Sequence, residues 1–365
     1  MLNIKIIKEN NFDAVILDDL HSDLFQIINK NKKILIIPIR NIIPIVLNFK
    51  FFKNIFFFYC KNKFKLKKLK ENYLIILFKY VNAPRVITYF ENTYRISLLK
   101  KNYPKKNFFT FTNGLRAPGY NFKHDKLLTW GNFEKKLDKQ KKFKSNKYCA
   151  VGSLRLLNYL NERKILAKKK IDIIYISAFS KIYNHNYLEK FNRVTIEYEI
   201  KLLRNISKLV KKDKYNFKIL MKSEVNDKYY NDEVSYFKKY FNKSVLIRKR
   251  DYKDSYKYID SSKVTISLVS ALGLEALSLN TKVLLGFSIK DLQDKLKFYP
   301  ELKSYGKELV EIISLKKLSE ASLEKKIKNL LSIPNLTYNS KIYKVKKILS
   351  NDPDLTKIKK IIYGF

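Results

Sequence analysis

Cysteine is nearly missing from this chain: Cys60 and Cys149 are the two among 365 residues, far apart and each beside aromatic or apolar neighbours. A disulfide framework is thereby excluded, and two buried free thiols in a reducing compartment are the expectation. Histidine is as scarce. His21, His124 and His185 stand alone, no cysteine pair has ligand spacing, and the one Asp-x-Asp, at Asp352 and Asp354, falls in the C-terminal stretch. No metal centre, no resident cofactor and no histidine-activated nucleophile is expected.

Negative charge is also in short supply, with 33 Asp and Glu against 76 Lys and Arg, a formal net charge of +43. Such an excess ordinarily points to a polyanion, because clustered cations release counterions on meeting phosphates or anionic lipid. A compositional reading fits better. Lys, Asn, Ile, Tyr and Phe are over-used throughout while Gly (8), Pro (8) and Trp (1) are rare, as in the product of an A+T-biased genome. The Lys-rich runs Lys61–Lys70, Lys135–Lys147 and Arg163–Lys170 lie between apolar segments, where solvated loops and helix faces belong. No nucleic-acid motif accompanies them, so no nucleic-acid partner is expected. A basic protein that binds nucleic acid or an anionic membrane is the alternative class.

Long apolar runs are absent. Ile34–Phe58 is interrupted by Pro38, Arg40, Pro44, Lys50 and Lys53, whereas a span needs about 20 mostly apolar residues. A buried strand followed by an amphipathic helix is expected there. Phe51, Phe52, Phe56, Phe57 and Phe58, flanked by Lys, offer bilayer-surface contact as a second reading. Met1–Asp13 alternates Ile with Lys, Asn and Glu and has no continuous apolar stretch of a secretory signal. A cytoplasmic protein is the expectation, with room for peripheral contact at the inner face of the cytoplasmic membrane.

What is present is ample core material: 46% hydrophobic and 14% aromatic residues over 365 positions, enough for two domains at about 100–200 residues each. Short apolar runs alternate with longer helical patterns, the signature of βα units and parallel sheets. Strands are expected at 14–17, 34–39, 86–90, 108–112, 150–151, 173–177, 217–221, 245–247, 264–269 and 283–287. The polar stretch Glu134–Lys147 divides two such series. The expected organisation is a domain over 1–149, a second over 150–337, and a C-terminal helical segment, 338–365, packing back across both.

Several strand ends carry chemistry. Val264–Val269 leads through Ser270, Ala271, Leu272 and Gly273 into a helix bearing Glu275, a strand-turn-helix that suits a phosphate. Gly273 admits close backbone approach, Ser270 offers a hydroxyl, and Glu275 either accepts from ribose hydroxyls or complements the helix dipole; spacing does not choose. Asn113-Gly114 follows another strand and places Arg116 within reach of an anion, although Asn-Gly is also an ordinary turn pair. Glu91 and Asn92 close the strand Val86–Phe90, where Glu91 suits a general base and Asn92 a helix cap. Gly152, Ser153 and Arg155, and Ser177, Ser180 and Lys181, follow two further strands with hydroxyls, N–H groups and one cation each. Gly114 and Gly119 have P-loop spacing, but Tyr120 and Asn121 stand where Lys and Ser or Thr are needed, which disfavours an NTPase. Arg248-Lys249-Arg250 reads as a surface cluster.

Taken in order, Val86–Asn92, Thr112–Arg116, Leu127–Gly131, Val151–Arg155, Ile174–Ser177 and Ser270–Ala276 resemble the bacterial surface carbohydrate biosynthesis proteins. The resemblance covers roughly residues 70–290, with Glu91-Asn92 in place of Asp-Asn and Thr112 in place of Gln before Asn-Gly. It implies an α/β fold of two Rossmann-like domains facing across a cleft, GT-B-like, and a metal-independent glycosyltransferase. Such an enzyme moves a sugar, or a polyol phosphate, from a nucleotide-linked donor to a surface polysaccharide or lipopolysaccharide precursor, a glycan or lipid-linked acceptor. By the same resemblance the donor falls to Gly152, Ser153, Arg155, Ser177, Ser180, Lys181, Ser270, Gly273 and Glu275. Glu91 becomes the catalytic base, with Asn92, Asn113, Gly114 and Arg116 on the acceptor side. A nucleotide-sugar epimerase or hydrolase on the same scaffold is the alternative.

Overall fold

The computed structural model describes residues 11–17, 22–37, 49–61, 69–89, 94–112, 123–133, 135, 144–163, 168–179, 186–247, 249, 251–268, 270–288, 312–315 and 317–364. The chain divides into two compact units, Met1–Asn158 with Pro353–Phe365, and Tyr159–Asp352. The division falls after Asn158 rather than after 149, and of the expected C-terminal segment 338–365 only the part from Pro353 joins the first unit.

The first unit runs through β1 (Ala14–Ile16), α1 (Ser22–Gln26), β2 (Ile34–Ile36), α2 (Phe49–Lys61), α3 (Leu69–Tyr80), β3 (Arg85–Thr88), α4 (Tyr94–Asn102), β4 (Asn107–Phe111), β5 (Lys123–Thr129) and β6 (Lys144–Ala150). α5 (Leu154–Glu162) crosses the division. All strand pairs are parallel, in the order β2-β1-β3-β4-β5-β6. Parallel strands are covered on both faces, which is why Ala14–Leu17 is an unbroken apolar run with every residue fully buried. Phe51 of α2, Leu77 and Phe78 of α3 and Leu99 of α4 close over Val15, Val86 and Phe108. Each buried side chain of that size contributes about 1.5–3 kcal/mol.

β5 and β6 lie outside the sequence expectation, which has a strand only at 150–151 and a linker over 134–147. Their amino-terminal halves are Lys-rich, and only Leu127, Leu128 and Cys149 within them are buried apolar side chains. β6 is the edge of the sheet, where charged side chains such as Lys are common because they discourage pairing with another strand. Hence the strand pattern is hidden.

The second unit contains β7 (Ile171–Ile176), α6 (Asn186–Asp213), β8 (Phe217–Leu220), α7 (Tyr230–Lys238), β9 (Leu246–Ile247), α8 (Tyr252–Asp260), β10 (Ser262–Ser267), α9 (Ala271–Glu275), β11 (Lys282–Ser288), β12 (Ser314–Leu315), α10 (Glu320–Ser332) and α11 (Asn335–Leu349). Its parallel sheet has the order β12-β11-β10-β7-β8-β9. α6 packs through Tyr198, Leu202, Leu203, Ile206 and Leu209, a stripe at helical spacing. Asp251 and Ser319 cap α8 and α10 by accepting from Asp254 N and Ser322 N. α12 (Leu355–Tyr363) belongs to the first unit, capped by Asp354 and closed by Gly364 at φ +90°.

Within the basic run Arg163–Lys170, Lys168 and Lys170 are exposed, whereas Arg163 and Lys169 are tied to buried groups. Arg163 donates to the fully buried carboxylate of Asp260 at 2.8 Å, which also accepts from the Tyr159 hydroxyl at 3.2 Å. Lys169 Nζ donates to the carbonyls of Asp260 and Ser262 at 2.9 and 2.8 Å, and burial pulls its ammonium down to about 8. These cations satisfy the chain as it leaves α8 for β10.

Candidate functional site

In an open parallel sheet, ligands bind at the carboxyl ends of strands where the chain order reverses. That reversal lies between β7 and its neighbours in the second unit: the chain leaves β7 for β8 on one side and returns to β10 on the other. Ser267 pairs with Ile176, and Ile176 with Leu220. The three central strands therefore end level, and the loops that follow them rise side by side from one row.

The loop after β7 begins with Ser177, which is 3% exposed. Its hydroxyl donates to Glu233 Oε1 at 2.5 Å and accepts from Phe179 N at 3.1 Å. Glu233, fully buried on α7, also accepts from Lys222 N and Ser223 N, both at 2.8 Å, in the loop after β8. One carboxylate thus joins two loops. A second, Glu199 of α6, accepts from Ala178 N at 3.0 Å, the Tyr175 hydroxyl at 2.6 Å and the Tyr236 hydroxyl at 3.2 Å. Burial raises the Glu199 carboxyl above its ordinary range against these three donors, and the neighbouring Glu233 charge adds to the effect.

A consequence follows for anion binding. The N–H groups of Ala178, Phe179, Lys222 and Ser223 already have protein acceptors, and so does the Ser177 proton. This side presents lysines together with the exposed carboxylates Glu224 and Asp227. Exposed Lys222 Nζ reaches the Phe179 carbonyl at 3.3 Å. Lys249, half-buried after β9, has its ammonium pulled down by burial while Glu224 and Glu233 work to hold the charge. Lys249 came from a cluster read as ordinary surface; its flanking Arg248 and Arg250 lie outside the described residues.

The loop after β10 is fastened differently. Ser270 caps α9 by accepting from Leu272 N at 3.2 Å, and its own N–H donates to Ser267 Oγ at 3.3 Å. The helix starts at Ala271 rather than Gly273, so Glu275 is its last residue, 3% exposed, instead of an acceptor in the first turn. At Gly273 an added Cβ would stand 2.3 Å from both Cβ and Oγ of Ser267. Glycine is therefore required for α9 to pack on β10.

Gly152, Ser153 and Arg155 belong to the first unit, at the start of α5. Gly152 takes φ +80°, a conformation that favours glycine, and buried Ser153 accepts from Leu156 N at 3.3 Å as the helix cap. Glu91, Asn92, Asn113, Gly114, Arg116, Ser180 and Lys181 lie outside the described residues. Among the described residues no group of three or more His, Cys, Asp or Glu is placed to hold a metal ion, and no helix is long and apolar enough to cross a membrane.

A pocket of about 550 Å³ lies in the first unit, between the sheet and α12. Arg85, Asn107, Phe109, Lys126 and Lys147 form its floor, and Lys360 to Gly364 its wall. Arg85 fastens that wall, donating to the Ile362 carbonyl at 2.9 Å with its guanidinium 4.9 Å from the Tyr363 ring centre. Among the described residues, none of the candidate site residues read from the sequence lines it.

Glu199 and Glu233 were passed over in the sequence, yet both leave a trace. Each sits on an apolar stripe: Glu199 with Leu202, Leu203 and Ile206, Glu233 with Val234 and Phe237. A carboxylate on the inward face of a helix needs donors, and strand-end N–H groups are the nearest supply.

No family model matches the chain, and no curated protein matches it by sequence. Solved structures do match over its whole length. The UDP-GlcNAc 2-epimerase from Neisseria meningitidis bound to UDP-GlcNAc is 14% identical with a TM-score of 0.54, covering 99% of this chain and 98% of that one. The S. aureus MnaA structure with UDP is 11% identical with a TM-score of 0.52, covering 97% and 95%. At these identities the likeness is one of architecture, and on it the chain is an α/β protein of two Rossmann-like units, GT-B-like in fold.

Proposed function

We propose that the chain is a nucleotide-sugar enzyme, a metal-independent glycosyltransferase that moves a sugar or polyol phosphate from a nucleotide-linked donor. Its acceptor is a precursor of a cell-surface polysaccharide or lipopolysaccharide, met at the inner face of the cytoplasmic membrane. The observation that carries the reading is the row of loops above β7, β8 and β10, the first two fixed by buried carboxylates and with Lys222 and Lys249 beside them. Two lysines there can neutralise the diphosphate of a departing nucleotide without a metal. Ser177, Ser180, Lys181, Ser270, Gly273 and Glu275, with Gly152, Ser153 and Arg155, are the donor-side residues in this reading. Glu91 takes the proton of the attacking acceptor hydroxyl as the sugar–phosphate bond breaks, and Asn92, Asn113, Gly114 and Arg116 hold the acceptor.

Epimerisation or hydrolysis of the nucleotide sugar is the second reading, favoured by the full-length likeness to structures of UDP-GlcNAc 2-epimerases. Thermal stabilisation by a panel of nucleoside diphosphates and nucleotide sugars tests what the two readings share. A ligand at about 100 times its Kd adds about 2.7 kcal/mol. One nucleotide should raise Tm in the wild type and fail in Lys222→Ala and Glu275→Ala; no response to any nucleotide overturns both. Chromatography of a labelled donor, with and without acceptor glycan, then separates transfer from epimerisation.

A further inference from the structure

α2 is apolar on both sides. Its inward face carries Phe51, 1% exposed, whose ring meets those of Tyr73 and Tyr80 at 5.6 and 5.7 Å. That face docks the helix on α3. Its outward face carries Phe49, Phe52, Phe56 and Phe57, exposed by 85%, 48%, 61% and 58%. At about 100° per residue these four side chains, with Lys53 and Cys60, occupy one sector of about 140° opposite Phe51. Four exposed phenylalanines on four turns is far from the scattered exposure of a solvated surface.

The sequence that forms and follows this helix carries charge of one sign. From Phe49 to Lys70 the sequence holds eight lysines and no acidic residue. Lys53 Nζ lies 5.8 Å from the Phe57 ring centre, its stem along the aromatic surface. A helix with aromatic side chains outward and lysines beside them lies in the plane of an interface, its apolar face entering about 5–10 Å. We infer that α2 docks the protein on an anionic lipid bilayer, with Phe49, Phe52, Phe56 and Phe57 in the headgroup–acyl boundary and the lysines on lipid phosphates. A second copy of the chain is disfavoured as occupant, because it would bring lysine onto lysine in a molecule of charge +43. The inference does not rest on the proposed reaction, only on this face.

Cys60 supplies the probe. It is exposed on the outward face while Cys149 is buried, so an environment-sensitive thiol dye placed on the full chain reports from α2. With vesicles of phosphatidylglycerol and phosphatidylcholine the dye should shift to the blue and be quenched by spin-labelled acyl chains, and the protein should float with the vesicles. Pure phosphatidylcholine should recruit less, and added salt should weaken binding to the anionic vesicles. Replacing all four phenylalanines by serine should lower partitioning at least about tenfold, with Tm unchanged because none of the four is in the core. Phe49→Asp alone should act in the same direction. Three results overturn the inference: a dye that does not move on vesicle binding, a serine variant that floats like the wild type, or a wild-type dimer in light scattering that the serine variant abolishes.

Discussion

The two sides of the second unit's switch point are held by different means. On the β7–β8 side the loops hang from two buried carboxylates, Glu199 and Glu233, delivered by α6 and α7. On the β10 side no charge is used. Ser267, Ser270 and the missing Cβ of Gly273 set the turn among themselves, within seven residues of sequence. The difference teaches where each side is vulnerable: the first depends on long-range acceptors for N–H groups, the second on local volume and one cap.

The largest effect should come from breaking the charged side. Glu233→Ala leaves the Ser177 hydroxyl and the N–H groups of Lys222 and Ser223 without their acceptor in a buried site. At about 1–3 kcal/mol for an unmet donor, shared with entering water, the loss should be about 3 kcal/mol. Urea denaturation measures it, and any nucleotide response should vanish with it because both loops lose their common tie. An unchanged midpoint would mean that the carboxylate does not hold the loops.

On the uncharged side Gly273→Ala forces a Cβ into Ser267 and should cost about 2 kcal/mol through displacement of α9. Ser267→Gly in the same chain removes the obstructing atoms, so the double variant should recover most of the loss. If the two changes simply add, the close approach is not the cause. Ser270→Ala should cost about 1 kcal/mol as a lost cap, and Ser270→Asp, another good cap, should restore the melting temperature.

The same comparison explains what the sequence reveals. The turn at Ser270 and Gly273 is legible because a strand, a turn and a helix follow one another within the window that periodicity can read, but the helix begins two residues earlier than expected and Glu275 ends it. Ser177 is legible as the end of an apolar run, but its partner is not: Glu233 lies 56 residues on, and nothing in the spacing tells which strand end it serves. The same holds for Arg163, which looks like part of a solvated basic run until the fold brings Asp260 to it, 97 residues away. The longer strands buried along their whole length are visible as apolar runs, whereas the two-residue β12 is too short to show a pattern. β5 and β6 are not visible either, because only their carboxyl-terminal halves enter the core. The aromatic neighbours of Cys60 suggest a buried thiol, but Cys60 lies on the exposed face of α2 with Phe56 and Phe57.

The smallest effect concerns the charge on Glu199. Its carboxyl is raised above the ordinary range chiefly by burial, in spite of three donors. Between the unfolded value, about 4.3–4.5, and that raised value the folded chain therefore holds a proton that the unfolded chain has released. Its contribution to stability is complete below the unfolded value and is lost as pH rises through the folded one. Above that raised value the folded state carries a buried negative charge, which burial and the neighbouring Glu233 disfavour. Glu199→Gln keeps an acceptor for Tyr175 and Ala178 and can donate to the Tyr236 hydroxyl, which rotates to receive it. Above the raised value the variant should therefore gain about 1 kcal/mol or less over the wild type. That advantage should shrink toward zero as pH falls to about 4.5, where both chains present a neutral group. Tm differences between the two chains across this range measure the effect, and an advantage that grows toward acid would show that the three donors, and not burial, govern the carboxyl.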